Sequence, residues 1–234
     1  MFLPRARRII EEVTQAEAEI LGKSVEPSGL LTITAPVLYG RMHVMPIIAC
    51  LCARYPKLRV RALLLDRVVN LAEEGIDIAI RIGTLPDSAL VSVTIGHVRQ
   101  VLAASPSYLT RRGKPENVQD LKGHNIVAFS GLGSLNEWRF ADGSVSSRID
   151  PVLEVNTADA AIEAVRAGMG IGRFLSYQVH DDVEAGRLIV VLPDYDPVPV
   201  PVSLVFPSSR RNSSAVRAFI EAAKSATAPE TRRM

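Results

Sequence analysis

The chain has 234 residues, 47% apolar and 22% charged, with a formal net charge of +2. That supplies the core of one large domain or two small ones, and it excludes a disordered chain or one whose partners are set by overall charge. No signal peptide is visible and no run approaches the ~18 apolar residues of a membrane span, so a cytoplasmic protein with no membrane partner is expected.

Residues Pro4 to Leu21 read as a helix. Ala6, Ile9, Ile10, Val13, Ala16 and Ile20 form one apolar stripe at spacings of three and four. The stripe either packs on the body or pairs with a second copy, and pairing is the expectation. Gly22 and "KSVEPSG" end it. The clusters Arg5-Arg7-Arg8 and Arg210-Arg211 read as solvated surface.

From Leu30 strand and helix alternate. Leu30 to Thr34 is a strand, and "VLYGRMHVMPIIACLCARYP" continues as an apolar helix stopping at Tyr55-Pro56. Cys50 and Cys52, the only cysteines, point about 200° apart on it, so they do not pair with each other. Buried thiols in a reducing compartment are expected. Leu58 to Leu65 is a strand entering a covered sheet. Asp66 caps a short helix, "RVVNLAEEG", and "IDIAIRIG" is the next strand. This succession predicts a parallel sheet with helices on its faces.

A second unit follows. His97 to Ser105 is a strand, "PSYLTRRG" a short helix, "PENVQDLKGH" a capped turn and "NIVAFSG" a strand. "EWRFADGSVSSRI" reads as a hairpin turning on Asp142-Gly143. "LEVNTADAAIEAVRAGMGIGRF" is strand, helix, strand, and "SYQVHDDVEAGRLIVVL" repeats the helix-Gly-strand idea. Val200 to Phe206 and the helix "NSSAVRAFIEAAKSA" are left over, with the right types to complete the first lobe. The chain would then cross between lobes twice.

These stretches, in this order, are very similar to the effector-binding domain of LysR-type transcriptional regulators. The residues that carry the likeness are "GLLTITAPVLYGRMHVMPII", "RVVNLAEEGIDIAIRIG", "VLAASPSYLTRRGKPENVQDLKGHNIV", "WRFADG", "AAIEAVRAGMGIG" and "SRRNSSAVRAFIEAA". The resemblance implies an α/β fold of two Rossmann-like lobes joined by two crossover strands, like the type 2 periplasmic binding proteins. It divides the chain into a linker and dimerisation helix over 1–23, lobe I over 29–96 and 203–226, and lobe II over 97–202. It implies a homodimer or homotetramer, a small-molecule effector such as a carboxylate or aromatic metabolite, and no cofactor. The winged helix-turn-helix that precedes such a linker helix is absent from these residues, so DNA contact is expected only through that missing domain. A periplasmic-type solute-binding protein is the alternative.

In an open α/β sheet, ligands sit beyond the carboxyl ends of the strands. If the two lobes face each other, those ends converge on one cleft. The candidate effector contacts are Thr34, Ala35, Pro36, Asp66, Arg81, Ser130, Gly131, Thr157 and Phe174. Thr34 offers a hydroxyl to a ligand or caps the helix. Pro36 lacks an N–H, which weakens an anion site there. Asp66 reads more as a cap than as a contact. Arg81 ends a buried strand and needs Asp66 or an anionic effector as partner. Ser130, Gly131 and Thr157 present hydroxyls and backbone at turns, and Phe174 is an apolar wall or a core residue.

No catalytic set or metal spacing emerges, and an enzyme is not expected. His43, His97, His124 and His180 stand in unrelated contexts.

Overall fold

The computed structural model describes residues 26–85, 89–132, 137–141, 143, 145–147 and 150–227. The helix expected over Pro4 to Leu21 lies outside the described residues. The chain divides into two units: one runs to Gly96 and resumes at Val202, and the other spans His97 to Pro201.

The first unit is built on β1 (Gly29–Ala35), β2 (Leu58–Leu64), β3 (Ile78–Ile82), β4 (Leu90–Val98) and β12 (Val200–Pro207), in the order β2-β1-β3-β12-β4. β1 is parallel to β2, with Gly29 opposite Leu58, and parallel to β3, with Ile33 opposite Ile78. β12 returns antiparallel to β3, so the sheet is mixed rather than wholly parallel. β2 is an edge strand, with Arg59 and Arg61 exposed in its alternating start and Ala62, Leu63 and Leu64 partly buried at its end. β4 is a strand the sequence reading passed over. Its Val91, Val93 and Ile95 alternate with exposed Ser92 and Thr94, the period of a half-buried strand.

The first helix, α1 (Val37–Arg54), is 18 residues long and contains a π-helical turn over Gly40–Val44. By length and composition it could span a membrane, contrary to the expectation that no run comes close. Yet Leu38, Val44, Ile47, Ile48 and Leu51 are buried, and the helix packs on α5 (Ser214–Thr227), so it serves as a core helix. Cys50 is exposed and Cys52 partly so, against the expectation of buried thiols. Leu51 takes the inward position, and ~100° per residue turns both neighbours aside.

The segment after β2 is not the helix that "RVVNLAEEG" suggested; it is a run of bends and turns. Val69 and Leu71 are both buried, with Ile76 and Ala79, and a helix would point residues two apart to opposite sides. Asn70 Oδ1 accepts from the N–H groups of Ala72 and Glu73, a local turn that competes with helix formation. Gly75 closes the segment at φ 65°.

The second unit has the strand order β11-β5-β10-β6-β9, with β5 Gln100–Ala104, β6 Ile126–Phe129, β9 Leu153–Val155, β10 Ile171–Leu175 and β11 Ile189–Val191. β6 is parallel to β9 and β10, and β5 is antiparallel to β10 and β11. The strand expected over His97 to Ser105 is two: β4 ends at Val98 and β5 begins at Gln100. The helices are α2 (Pro106–Arg112), α3 (Ala158–Arg166) and α4 (Ser176–Glu184), and a 3-10 turn over Val118–Gly123 carries an Asn117–Asp120 capping box.

The hairpin forms from β7 (Glu137–Arg139) and β8 (Val145–Ser147), but Arg139 pairs with Val145. Its connection is therefore longer than a two-residue turn on Asp142-Gly143. Trp138 and Phe140 join Leu102, Tyr108, Ile171 and Val191 in the core of this unit.

Buried charges tie loops to both sheets. Asp77, 3% exposed, accepts from the Thr32 N–H at 2.8 Å and pairs with Arg210 at 2.5 Å. Arg210 is 8% exposed, so it is not the solvated surface residue its Arg-Arg pairing suggested. In the second unit Asp182 is held by Arg166 and Arg187, each at 2.5 Å.

Candidate functional site

In each unit three adjacent parallel strands end at the same sheet edge: β2, β1 and β3 in the first, β10, β6 and β9 in the second. Parallel strands bring carboxyl ends together, which is where an α/β sheet offers free backbone and helix starts to a ligand.

In the first unit, Thr34, Ala35, Pro36 and Asp66 form one connected group. Thr34 is 5% exposed and its hydroxyl donates to the Leu63 carbonyl at 2.8 Å. That bond staples β1 to β2; the hydroxyl does not cap α1. Ala35 is 2% exposed and its carbonyl accepts from the Leu65 N–H at 2.9 Å. Pro36 occupies the N-cap of α1 and makes no side-chain cap hydrogen bond.

Asp66 supplies what Pro36 lacks. Its Oδ1 accepts from the Val37 N–H at 2.9 Å. Asp66 is a helix cap, but of α1 rather than of the following segment, because strand pairing carries it to that helix start. Arg81, half-buried at the end of β3, donates through Nη2 to the Val69 carbonyl at 3.1 Å and so fixes the turn segment.

In the second unit, Ser130 and Gly131 are exposed in a 3-10 turn at the end of β6. A Cβ at Gly131 would overlap the Phe129 ring, so only glycine lets the turn close over it. Thr157 is the N-cap of α3, yet its side chain makes no cap bond. Phe174 does not join them. It is 0% exposed against Gly172 and Val165, a core residue rather than a pocket wall.

The neighbour of Phe174 belongs to the same strand end, which the sequence marks as Arg173-Phe174, although only Phe174 stands among the candidate contacts. Arg173 is on the opposite side of β10, with its guanidinium 5.2 Å from the centroid of the Trp138 ring. Burial pushes it down to about 10. Its signal in the sequence was a lone basic residue inside "GIGRFL". The Ser176 hydroxyl, at the junction of β10 and α4, is buried and makes no hydrogen bond.

Among the described residues no group of His, Cys, Asp and Glu is placed to hold a metal ion. His124 Nδ1 lies 3.1 Å from the Tyr108 hydroxyl, which also accepts from the Asn125 N–H. His43 stacks beside Tyr39, and His180 faces Glu184.

The sequence matches the LysR substrate binding domain family over residues 24–228. Among curated proteins it is 29% identical over 222 residues to the HTH-type transcriptional regulator CrgA of Neisseria meningitidis serogroup B, covering 94% of this chain and 74% of CrgA. The solved structure of CrgA, a LysR-type transcriptional regulator from Neisseria meningitidis, superposes with a TM-score of 0.79 at 28% identity, covering 96% of this chain and 77% of that one. The CrgA regulatory domain gives 0.76 at 27% identity, over 85% of this chain and 98% of that one. The chain therefore belongs to the LysR-type transcriptional regulators, and with its α/β, type 2 periplasmic-binding-protein-like fold it is the effector-sensing, substrate-binding domain of such a regulator.

Proposed function

We propose that this domain senses its small-molecule effector at the carboxyl ends of the two strand triplets. The contacts are the Thr34–Pro36 turn, Asp66 and Arg81 in the first unit, and Ser130, Gly131, Thr157 and Arg173 in the second. The observation that carries this reading is the shared edge at which each triplet of parallel strands ends. The Thr157 hydroxyl supports it, because it stands at a helix start without capping it. The domain works in the cytoplasm as a homodimer or homotetramer and performs no catalysis. Operator DNA is contacted by a helix-turn-helix domain of the regulator, not by these residues.

Effector binding shifts transcription only by the difference in its affinity for two arrangements of the regulator. Thermal-shift screening of a metabolite library tests the reading. A true effector raises the melting temperature of the wild-type chain, and Ser130→Ala and Thr157→Ala reduce that rise. An effector that stabilises both variants as much as the wild type places the site elsewhere.

A further inference from the structure

In the second unit one phenol joins α2 to the start of β6. Tyr108 is 1% exposed, and its hydroxyl accepts from the Asn125 N–H at 2.9 Å and lies 3.1 Å from His124 Nδ1. The Tyr108 and His124 rings stand 5.7 Å apart, tilted by 51°. Asn125 carries the connection on to β10. Its carbonyl accepts from the Ile171 N–H at 2.9 Å, and its Nδ2 donates to the Met169 carbonyl at 3.2 Å. A Cβ at Gly170 would overlap the Asn125 carbonyl, so the chain entering β10 is in direct contact with it.

Counting protons fixes the direction of these bonds. A backbone N–H only donates, so the phenol oxygen accepts from Asn125 and must give its own proton elsewhere. Among the described residues His124 Nδ1 is the acceptor it meets. A proton on Nδ1 would leave the buried O–H without an acceptor, which native structures avoid.

We propose that Tyr108 and His124 form an acid-sensitive latch on the amino end of β6. The ring is held as the neutral Nε2–H tautomer and accepts the Tyr108 proton. In acid, Nδ1 takes one proton from solvent and the phenol loses its acceptor. The partly exposed His124 then leaves the hydroxyl, and the neighbouring Asn125 anchor loosens.

The charges around the ring set where this happens. Burial favours the neutral ring and holds His124 below its ordinary 6.5; Asp120 on the 3-10 turn opposes this, and Arg112 at the end of α2 reinforces it. The backbone N–H groups of Glu116 and Asn117 hold Asp120 below its own ordinary 3.8, so its charge stays constant while His124 titrates. The latch is closed above pH 6.5 and opens as pH falls through the lowered value. β6 leads to the Ser130–Gly131 turn, yet the latch does not depend on where the effector binds.

NMR of the 15N-labelled chain tests this without a ligand. Above pH 6.5, long-range proton–nitrogen spectra should show His124 with a bare Nδ1 and a protonated Nε2. As pH is lowered, hydrogen-exchange protection of Asn125 and Ile171, corrected for the intrinsic pH dependence of exchange, should fall with the His124 midpoint. In His124→Gln the side-chain oxygen accepts the phenol proton at every pH, and protection of both amides should stay flat. In Tyr108→Phe protonation orphans no hydroxyl, and the His124 midpoint should move up towards 6.5.

A proton found on Nδ1 above pH 6.5 overturns the proposal. So does protection that ignores the His124 titration, or that falls in His124→Gln as it does in the wild type. A Tyr108→Phe midpoint that stays or drops overturns it as well. Should Tyr108→Phe fail to fold, the tautomer and the His124→Gln comparison decide the matter by the same outcomes.

Discussion

Asp66 and Val37 are joined by a 2.9 Å hydrogen bond between a side-chain carboxylate and a helix-start N–H, although 29 residues separate them in sequence. The bond replaces the local cap that Pro36 does not provide. Its loss in Asp66→Ala should cost about 1 kcal/mol, the usual scale of a helix cap. Asp66→Asn should cost less, since an amide oxygen still accepts. Urea unfolding of the three proteins measures this, and an Asp66→Ala as stable as the wild type would contradict it.

Asp77 and Arg210 form a buried ion pair in the first unit, with side chains only 5% and 10% exposed. Asp77→Ala takes from the buried guanidinium its carboxylate partner at 2.5 Å and also leaves the Thr32 N–H without its acceptor. The expected loss is about 3–5 kcal/mol. Replacing both residues by apolar ones should cost less than Asp77→Ala alone. A double variant weaker than the single one would argue against the pair as the cause.

Acid should act on the second unit in two opposing ways. Burial, opposed by the nearby Asp120 and reinforced by Arg112, holds His124 below its ordinary 6.5. Its contribution to stability is complete above pH 6.5 and is lost as pH falls through the lowered value. Asp196 behaves in the reverse sense. Burial raises it to about 6, helped by Asp194 and opposed by Arg99. It favours the folded state in acid and loses that contribution as pH rises from 3.8 through about 6. Asp196→Asn should therefore raise the melting temperature relative to wild type above about pH 6, with the gain fading towards pH 4. A variant less stable at neutral pH would contradict this assignment.

Trp138 is the single tryptophan of the chain, which makes its pairing with Arg173 directly observable. Arg173→Met should change the fluorescence of Trp138 and cost about 0.5–2 kcal/mol of the cation–π contact. Fluorescence and urea unfolding together check this. Unchanged emission would mean that the guanidinium does not rest on the indole.

How much of this was legible in the sequence follows from the range of each interaction. The runs around β1, β6, α3, β10 and α5 could be read locally, because periodicity and glycine stops specify them. The turn segment after β2 could not. Its helix-like composition yields to the burial of Val69 and Leu71 and to the Asn70 turn, both decided by tertiary packing. The partners of Asp66, Asp77 and Arg210 were equally invisible, since each pair is set by strand register across distant stretches. Arg210 reads as surface because it stands in a basic pair, of which only Arg211 is exposed. Phe174 and Arg173 show the limit at one strand. The strand end was found, but which of two adjacent side chains faces the core depends on a one-residue register.

Amide hydrogen exchange tests the proposed effector contacts at the carboxyl ends of the strand triplets. With a confirmed effector at saturation, exchange should slow at residues 35–38 of the first unit and at residues 130–132 and 157–160 of the second. Protection that leaves both strand-end sets unchanged and appears elsewhere on the domain would place the effector away from these strand ends.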